Sequence, residues 1–391
     1  MNSKTFTFLL VFCVTPAFAE YKTKAKSAFL VDYDSGAEIV SKSADELMPP
    51  SSMLKLMTLA VLFDEIKAGR ISLNDRFPVG KNADYQDPVW YPASKICLSA
   101  GQDISVRDLV LGLIVLSGGD ASVVVAEKMA GTEEKFTDLM TAKARAIGMP
   151  LSTFGNASGL PNDRNLMTSR ELATLAYHII ADYPDLYPMF ATKRFEFGEY
   201  KTDWCRDWGR THTVNYNKLL FTMPGADGLK TGHTDKGGYG MVASATSGGR
   251  RLVGVINGFH GKGHDALAAE MKSLLSHGFN TTMTKVFYRP GDDVTAVPVW
   301  YGRDDWVQGT VDKNFAVTAL KEQGLTGVKV LARYTDPMPA PIKVGDILGE
   351  VIAERDGNVI ARTNLVAKSG VGRVRFFARA WRNIIVMIMG Q

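Results

Sequence analysis

One apolar run constrains this chain more than any other feature. From Met53 to Phe63 it reads Met-Leu-Lys-Leu-Met-Thr-Leu-Ala-Val-Leu-Phe, with Lys55 as its single charge. These are mostly good helix formers, apolar on nearly every side, so the run predicts a helix buried all round. Pro50-Ser51 marks its start and Gly69 its stop. Ser52 and Lys55, three apart, then share one helix face, and the amine reaches the hydroxyl. Burial and the positive helix N-terminus both disfavour an ammonium and push the lysine pKa down. A neutral lysine beside a serine is a general base beside its nucleophile, the Ser-Lys form of acyl-transfer catalysis. This is the only Ser-x-x-Lys in the chain.

The first residues carry Lys4, an apolar stretch from Phe6 to Val14 and a small-x-small site, Ala17-Phe18-Ala19. This is the pattern of a secretory signal peptide at 1–19 and predicts an exported, periplasmic chain. Export leaves Cys97 and Cys205, which an oxidising compartment permits to pair or to remain free thiols. Formal net charge is +4. Val371 to Gln391 holds Arg373, Arg375, Arg379 and Arg382 without an acid, so the body between leader and tail is slightly acidic. A basic tail on an acidic body argues against a nucleic-acid partner. In the tail, Phe377, Trp381, Ile384 and Ile388 fall on one helical face and Arg375, Arg379 and Arg382 on the other. That pattern predicts an amphipathic helix, 371–391, lying on the outer face of the inner membrane without crossing it.

Between leader and tail the text changes once. Residues 20–285 mix strands with helices. Ala28–Tyr33 and Ala37–Val40 flank Asp34-Ser35-Gly36, a hairpin signal. Helices are predicted at Val106–Leu116, onward through Lys128 after a break at Ser117-Gly118-Gly119-Asp120, at Thr132–Ile147, at Thr168–Ala181 and at Asp265–Leu275. Strands are predicted at Phe195–Phe197, Gly228–Thr231, Gly240–Ala245 and Leu252–Ile256, joining the first hairpin in one antiparallel sheet with helices on its faces. Asp75–Ala100 reads as an irregular excursion. Residues 286–370 carry short Val-rich strands and turns, a small all-β domain. The fold class is α/β in the wide sense (α+β).

Two further motifs follow the Ser-x-x-Lys in order. Ser117-Gly118-Gly119 lies in the helix break, and Lys230-Thr231-Gly232 lies on a strand before His233. The ordered set has the pattern of penicillin-binding proteins and related β-lactamases. The chain resembles the D-alanyl-D-alanine carboxypeptidases of the low-molecular-mass penicillin-binding proteins. The resemblance also takes in Phe154–Leu160, Asn215–Leu220 and Asp227–Thr234, and covers nearly everything after the leader.

It implies that Ser52 is the acyl-enzyme nucleophile, Lys55 its base and Ser117 a proton relay to the leaving D-alanine. It implies that Lys230, with Thr231, Gly232, His233 and Gly119 around it, binds the substrate. The backbone N–H groups of Ser52 and His233 would form the oxyanion hole. The implied partners are peptidoglycan pentapeptides and β-lactam inhibitors, with no cofactor and no metal. Rival readings are a DD-endopeptidase or a β-lactamase on the same fold, or a non-catalytic peptidoglycan-binding protein. Two positions depart from the family: Gly119 stands for its usual Asn, and Leu267 for an Arg before the closing helix. Lys262, Arg250 and His264 are the candidate substitutes for that cation. On this reading Gly119 weakens substrate grip, and Gly119→Asn is expected to speed penicillin acylation.

Overall fold

The computed structural model describes residues 21–91, 93–235 and 237–374. The expected leader, and the expected tail helix from 375 on, lie outside the described residues. The chain divides into two compact units. One holds Glu38–Asn280 with the strand residues up to Tyr33; the other holds the chain from Thr281, together with Asp34–Ala37.

In the larger unit, β1 (Ser27–Asp32) and β2 (Glu38–Lys42) form the expected hairpin. Ser51–Leu54 makes one 3₁₀ turn and leads directly into α1 (Lys55–Lys67). Every residue of α1 from Lys55 to Phe63 is buried, as a helix without a polar face must be. The excursion that follows is bounded by β3 (Arg76–Pro78) and β4 (Asp103–Ser105), which pair with each other. Then come α2 (Val106–Val115), α3 (Gly119–Ala130), α4 (Glu133–Ala146) and α5 (Ser169–Asp182). Thr132 and Thr168 cap the last two through their side-chain oxygens. Next are α6 (Asp203–Thr211) and a single turn, α7 (Leu219–Thr222). The unit closes with β5 (Ala226–Thr234), β6 (Gly238–Ser247), β7 (Arg250–Phe259) and the long α8 (Gly263–Thr281).

The sheet order is β2-β1-β7-β6-β5, all antiparallel. Successive side chains on a strand point to opposite faces. Met241, Ala243 and Ala245 of β6 pack with Leu267, Met271 and Leu274 of α8, while Val242 joins the cluster containing α1, α2, α3 and α5. Both faces of the sheet are therefore covered, and β5 is one of its edges.

One expectation fails. Phe195–Phe197 is not a strand: both rings are buried, but the backbone there is irregular apart from a bridge at Arg194 and Val214. Its alternation reflects two rings packing on helices, not sheet pairing. The helix α6 lies outside the elements predicted above, because Asp-Trp-Cys-Arg-Asp-Trp-Gly-Arg is mostly polar and contains a glycine. Its Trp204 and Trp208 stack at 5.8 Å between ring centres, and Trp208 stacks on His212 at 3.6 Å.

The second unit is all-β. Its strands are β8 (Thr282–Tyr288), β9 (Thr295–Trp300), β10 (Trp306–Val311), β11 (Phe315–Leu320), β12 (Lys329–Tyr334), β13 (Met338–Pro339), β14 (Ile347–Arg355) and β15 (Asn358–Ala367). They form a six-stranded sheet in the order β12-β14-β15-β10-β9-β13 and a two-stranded β11-β8 ribbon. The first described residues of the expected tail belong here. Val371 is buried in this core and bridges Ile342, and Arg373 bridges Gly302, so 371–374 runs extended.

Candidate active site

Ser52 sits on the 3₁₀ turn and Lys55 opens α1, so a short local path fixes their pairing. The Lys55 Nζ donates to Ser52 Oγ at 2.9 Å and also to the Ser158 carbonyl. Lys55 is 2% exposed. Burial pushes its pKa down to about 7, partly opposed by the carboxylates of Asp120 and Glu133. The segment that supplies the Ser158 carbonyl is itself pinned: Thr58 Oγ1 donates to Ala157 O at 2.7 Å, and the Ala157 N–H donates to Glu133 at 2.8 Å.

Facing this pair is a second lysine–serine pair. Ser117 occupies the break between α2 and α3 with a left-handed backbone, φ 59°, which tips its hydroxyl out of the helical path. The Lys230 Nζ, from β5, donates to Ser117 Oγ at 3.0 Å and to Thr231 O at 2.9 Å. Lys230 is only 1% exposed. Burial, reinforced by the nearby Lys55 charge, pushes its pKa well below the usual lysine value.

A cavity of about 630 Å³ joins these groups. Ser52, Lys55, Ser117, Gly119, Thr231, Gly232 and His233 all line it, whereas Lys230 stands behind its wall on Ser117. Gly232 is required by close approach: a Cβ there would lie 3.0 Å from Ser52 N and 2.8 Å from Pro50 O. The edge strand β5 thus runs directly past the Ser52 backbone. Tyr216 and His264 complete this side.

Three candidate cations for the departure at 267 fare differently. Leu267 itself is fully buried in the apolar layer under the sheet. Arg250 pairs with the buried Asp32 at 2.7 Å, and Lys262 is exposed without lining the cavity. His264 does line it, but burial and then the charge of Lys230 lower its pKa to about 4, so it is neutral at pH 7.

The opposite wall, Val89, Ala93 and Ser94 with Leu160 and Pro161, was not marked as functional by the sequence. It corrects the expectation for position 119. An ideal Cβ on Gly119 would stand 2.5 Å from Trp90 Cζ3 and 3.1 Å from Cε3. Asn does not fit there while Trp90 keeps its place, so on this geometry Gly119→Asn is expected to slow acylation, not to speed it. The excursion carrying Trp90 is anchored by Asp120, which accepts from the backbone N–H groups of Ile96, Cys97 and Leu98 at 2.8–3.1 Å. It is also anchored by a disulfide between Cys97 and Cys205.

A helix-flanked antiparallel sheet with two lysine–serine pairs across one cleft defines a serine acyl-transfer enzyme of the penicillin-binding class. The chain belongs to the D-alanyl-D-alanine carboxypeptidase family, whose model matches residues 14–260. Residues 283–373 match the C-terminal domain of penicillin-binding protein 5. The chain is 32% identical to the D-alanyl-D-alanine carboxypeptidase DacC of Escherichia coli over 382 residues, covering 96% of this chain and 92% of that protein. It is similar to the crystal structure of penicillin-binding protein 5 from Haemophilus influenzae, with 30% identity and a TM-score of 0.80 over 91% of this chain and 99% of that one. Penicillin-binding protein D2 of Listeria monocytogenes, solved with ampicillin bound, shares the fold at 23% identity, with a TM-score of 0.56 over 67% of this chain and 99% of that one.

Proposed function

We propose that this cleft removes the C-terminal D-alanine from peptidoglycan stem pentapeptides through an acyl-enzyme on Ser52. The observation that carries the reading is the opposed pairs, Lys55 on Ser52 at 2.9 Å and Lys230 on Ser117 at 3.0 Å, with both lysines buried. In its neutral form Lys55 accepts the Ser52 proton as Oγ attacks the penultimate carbonyl. The negative charge that develops on the carbonyl oxygen meets the backbone N–H groups of Ser52 and His233. The C–N bond then breaks, and the leaving amine takes a proton through Ser117 Oγ. Water, deprotonated by the same lysine, hydrolyses the ester and returns the proton to Ser52. Burial holds the Lys230 pKa well below the usual lysine value. A substrate carboxylate beside it opposes that shift and favours the ammonium.

The test is direct. Incubation with a pentapeptide should release D-alanine, and labelled penicillin should map to Ser52. Label that persists in Ser52→Ala sinks the assignment of the nucleophile.

The exported location and the membrane-surface tail rest on sequence alone. Among the described residues no helix is long and apolar enough to cross a membrane. Because 371–374 is part of the β unit, the informative truncation falls after Val374. It should abolish sedimentation with anionic vesicles while D-alanine release continues. Continued sedimentation would place the anchor elsewhere.

A further inference from the structure

Trp90 lies behind the cleft wall, between the lining residues Val89 and Ala93 in sequence and against Gly119, and the mechanism does not use it. It is 2% exposed, and its Nε1 has no hydrogen-bond partner among the described residues, so packing alone fixes the ring. The Cε3–Cζ3 edge lies where a side chain at 119 would begin. The backbone that carries it is held from several directions. The Gly119 N–H donates to Ser94 O at 2.8 Å, and Lys95 Nζ donates to Trp90 O at 2.7 Å. Lys95 in turn lies 4.6 Å from the Trp208 ring on α6, next to the half-cystine Cys205. On either side of Trp90, Val89 and Ala93 line the cleft, as do Leu160 and Pro161 on the same wall.

We propose that Trp90 is a positioning residue that sets the specificity of this cleft. Its ring excludes any side chain at position 119 and fixes Val89 and Ala93 as an apolar wall for the acyl side chain of the substrate. The proposal rests on the carboxypeptidase reading above. With no hydrogen-bonding side chain at 119, selection there works mainly by apolar contact with Val89 and Ala93, and Ser94 is left to replace the water of a charged acyl group on this wall.

The experiment compares acylation by benzylpenicillin, whose side chain is phenylacetyl, with acylation by a penicillin bearing a charged aminoadipyl side chain. The ratio of the two rates does not depend on the folded fraction. Trp90→Ala should lower that ratio about tenfold, and Trp90→Phe should keep most of it. Gly119→Asn alone should slow benzylpenicillin acylation by about tenfold or more, and Trp90→Ala/Gly119→Asn should recover most of the loss. A Gly119→Asn protein that acylates at the wild-type rate, a double variant no faster than the single, or an unchanged ratio in Trp90→Ala would each overturn the proposal. Wild type that takes no label on Ser52 would instead overturn the carboxypeptidase reading itself.

Discussion

The two walls of the cleft are built in opposite ways. On one side, the Ser51–Leu54 turn, α1 and β5 hold their groups by local geometry and sheet register. Ser52 and Lys55 are three residues apart, and β5 pairs with β6 from Ala226 to Thr234 with a single register shift. On the other side, the described residues between β3 and β4 form only short 3₁₀ turns. Its position comes from far along the chain: the Asp120 carboxylate, and a disulfide spanning 108 residues. A wall fixed by repeating short-range contacts loses little when one is removed. A wall fixed by a few distant contacts is sensitive to each, and that contrast can be tested.

The largest effect belongs to the first wall's chemistry. Lys55→Met should keep the fold, since an apolar side chain suits so buried a site, and should slow penicillin acylation by roughly 10²–10⁴. Stopped-flow acylation checks this, and a loss under threefold would remove Lys55 as the base. The second wall's largest effect is on stability. Cys97→Ser with Cys205→Ser should cost about 2–5 kcal/mol in urea unfolding, given the long loop the bond closes. It should also loosen the Val89–Ala93 wall, so a variant with wild-type selectivity between penicillins would show that other contacts suffice.

A smaller cost attaches to Asp120→Asn. The amide has one acceptor oxygen for donors that now share a carboxylate, and about 1.5–3 kcal/mol is expected to be lost. The smallest effect is a shift in a pH profile. Acylation needs neutral Lys55, so its rate should rise with pH, be half-maximal near the folded-state pKa of about 7, and fall about tenfold per unit below it. Asp120 raises the Lys55 pKa, so Asp120→Asn should move that midpoint down. A midpoint that moves up would mean the electrostatic coupling is misassigned.

The same contrast explains what the sequence disclosed. Ser52, Lys55, Ser117 and the Lys230–His233 stretch were legible because their chemistry depends on spacing within one element. The buried helix α1, the hairpin and the strands β6 and β7 were legible through periodicity and turn residues. Trp90 was not, because its importance lies in which ring meets Gly119, a contact between a loop and a helix start. Cys97 and Cys205 left two outcomes open, and only the packing of α6 against the excursion brings them together. Leu267 stood out as a missing charge, yet its place in the apolar layer shows a side chain serving the sheet, not the cleft.

The sheet order has a consequence for how the unit assembles. Its first strand, β1, pairs with β7, Ala28 against Ile256, across almost the whole length of the unit. Until residue 259 is available, β1 and β2 are a two-stranded hairpin of marginal stability. Low contact order speeds folding, and this pairing is the reverse. The helices can form early, but closing the sheet joins the unit's first strand to its last in one late step. Chains ending before Phe259 should therefore be degraded as unfinished polypeptides, however complete their Ser52–Lys55 helix.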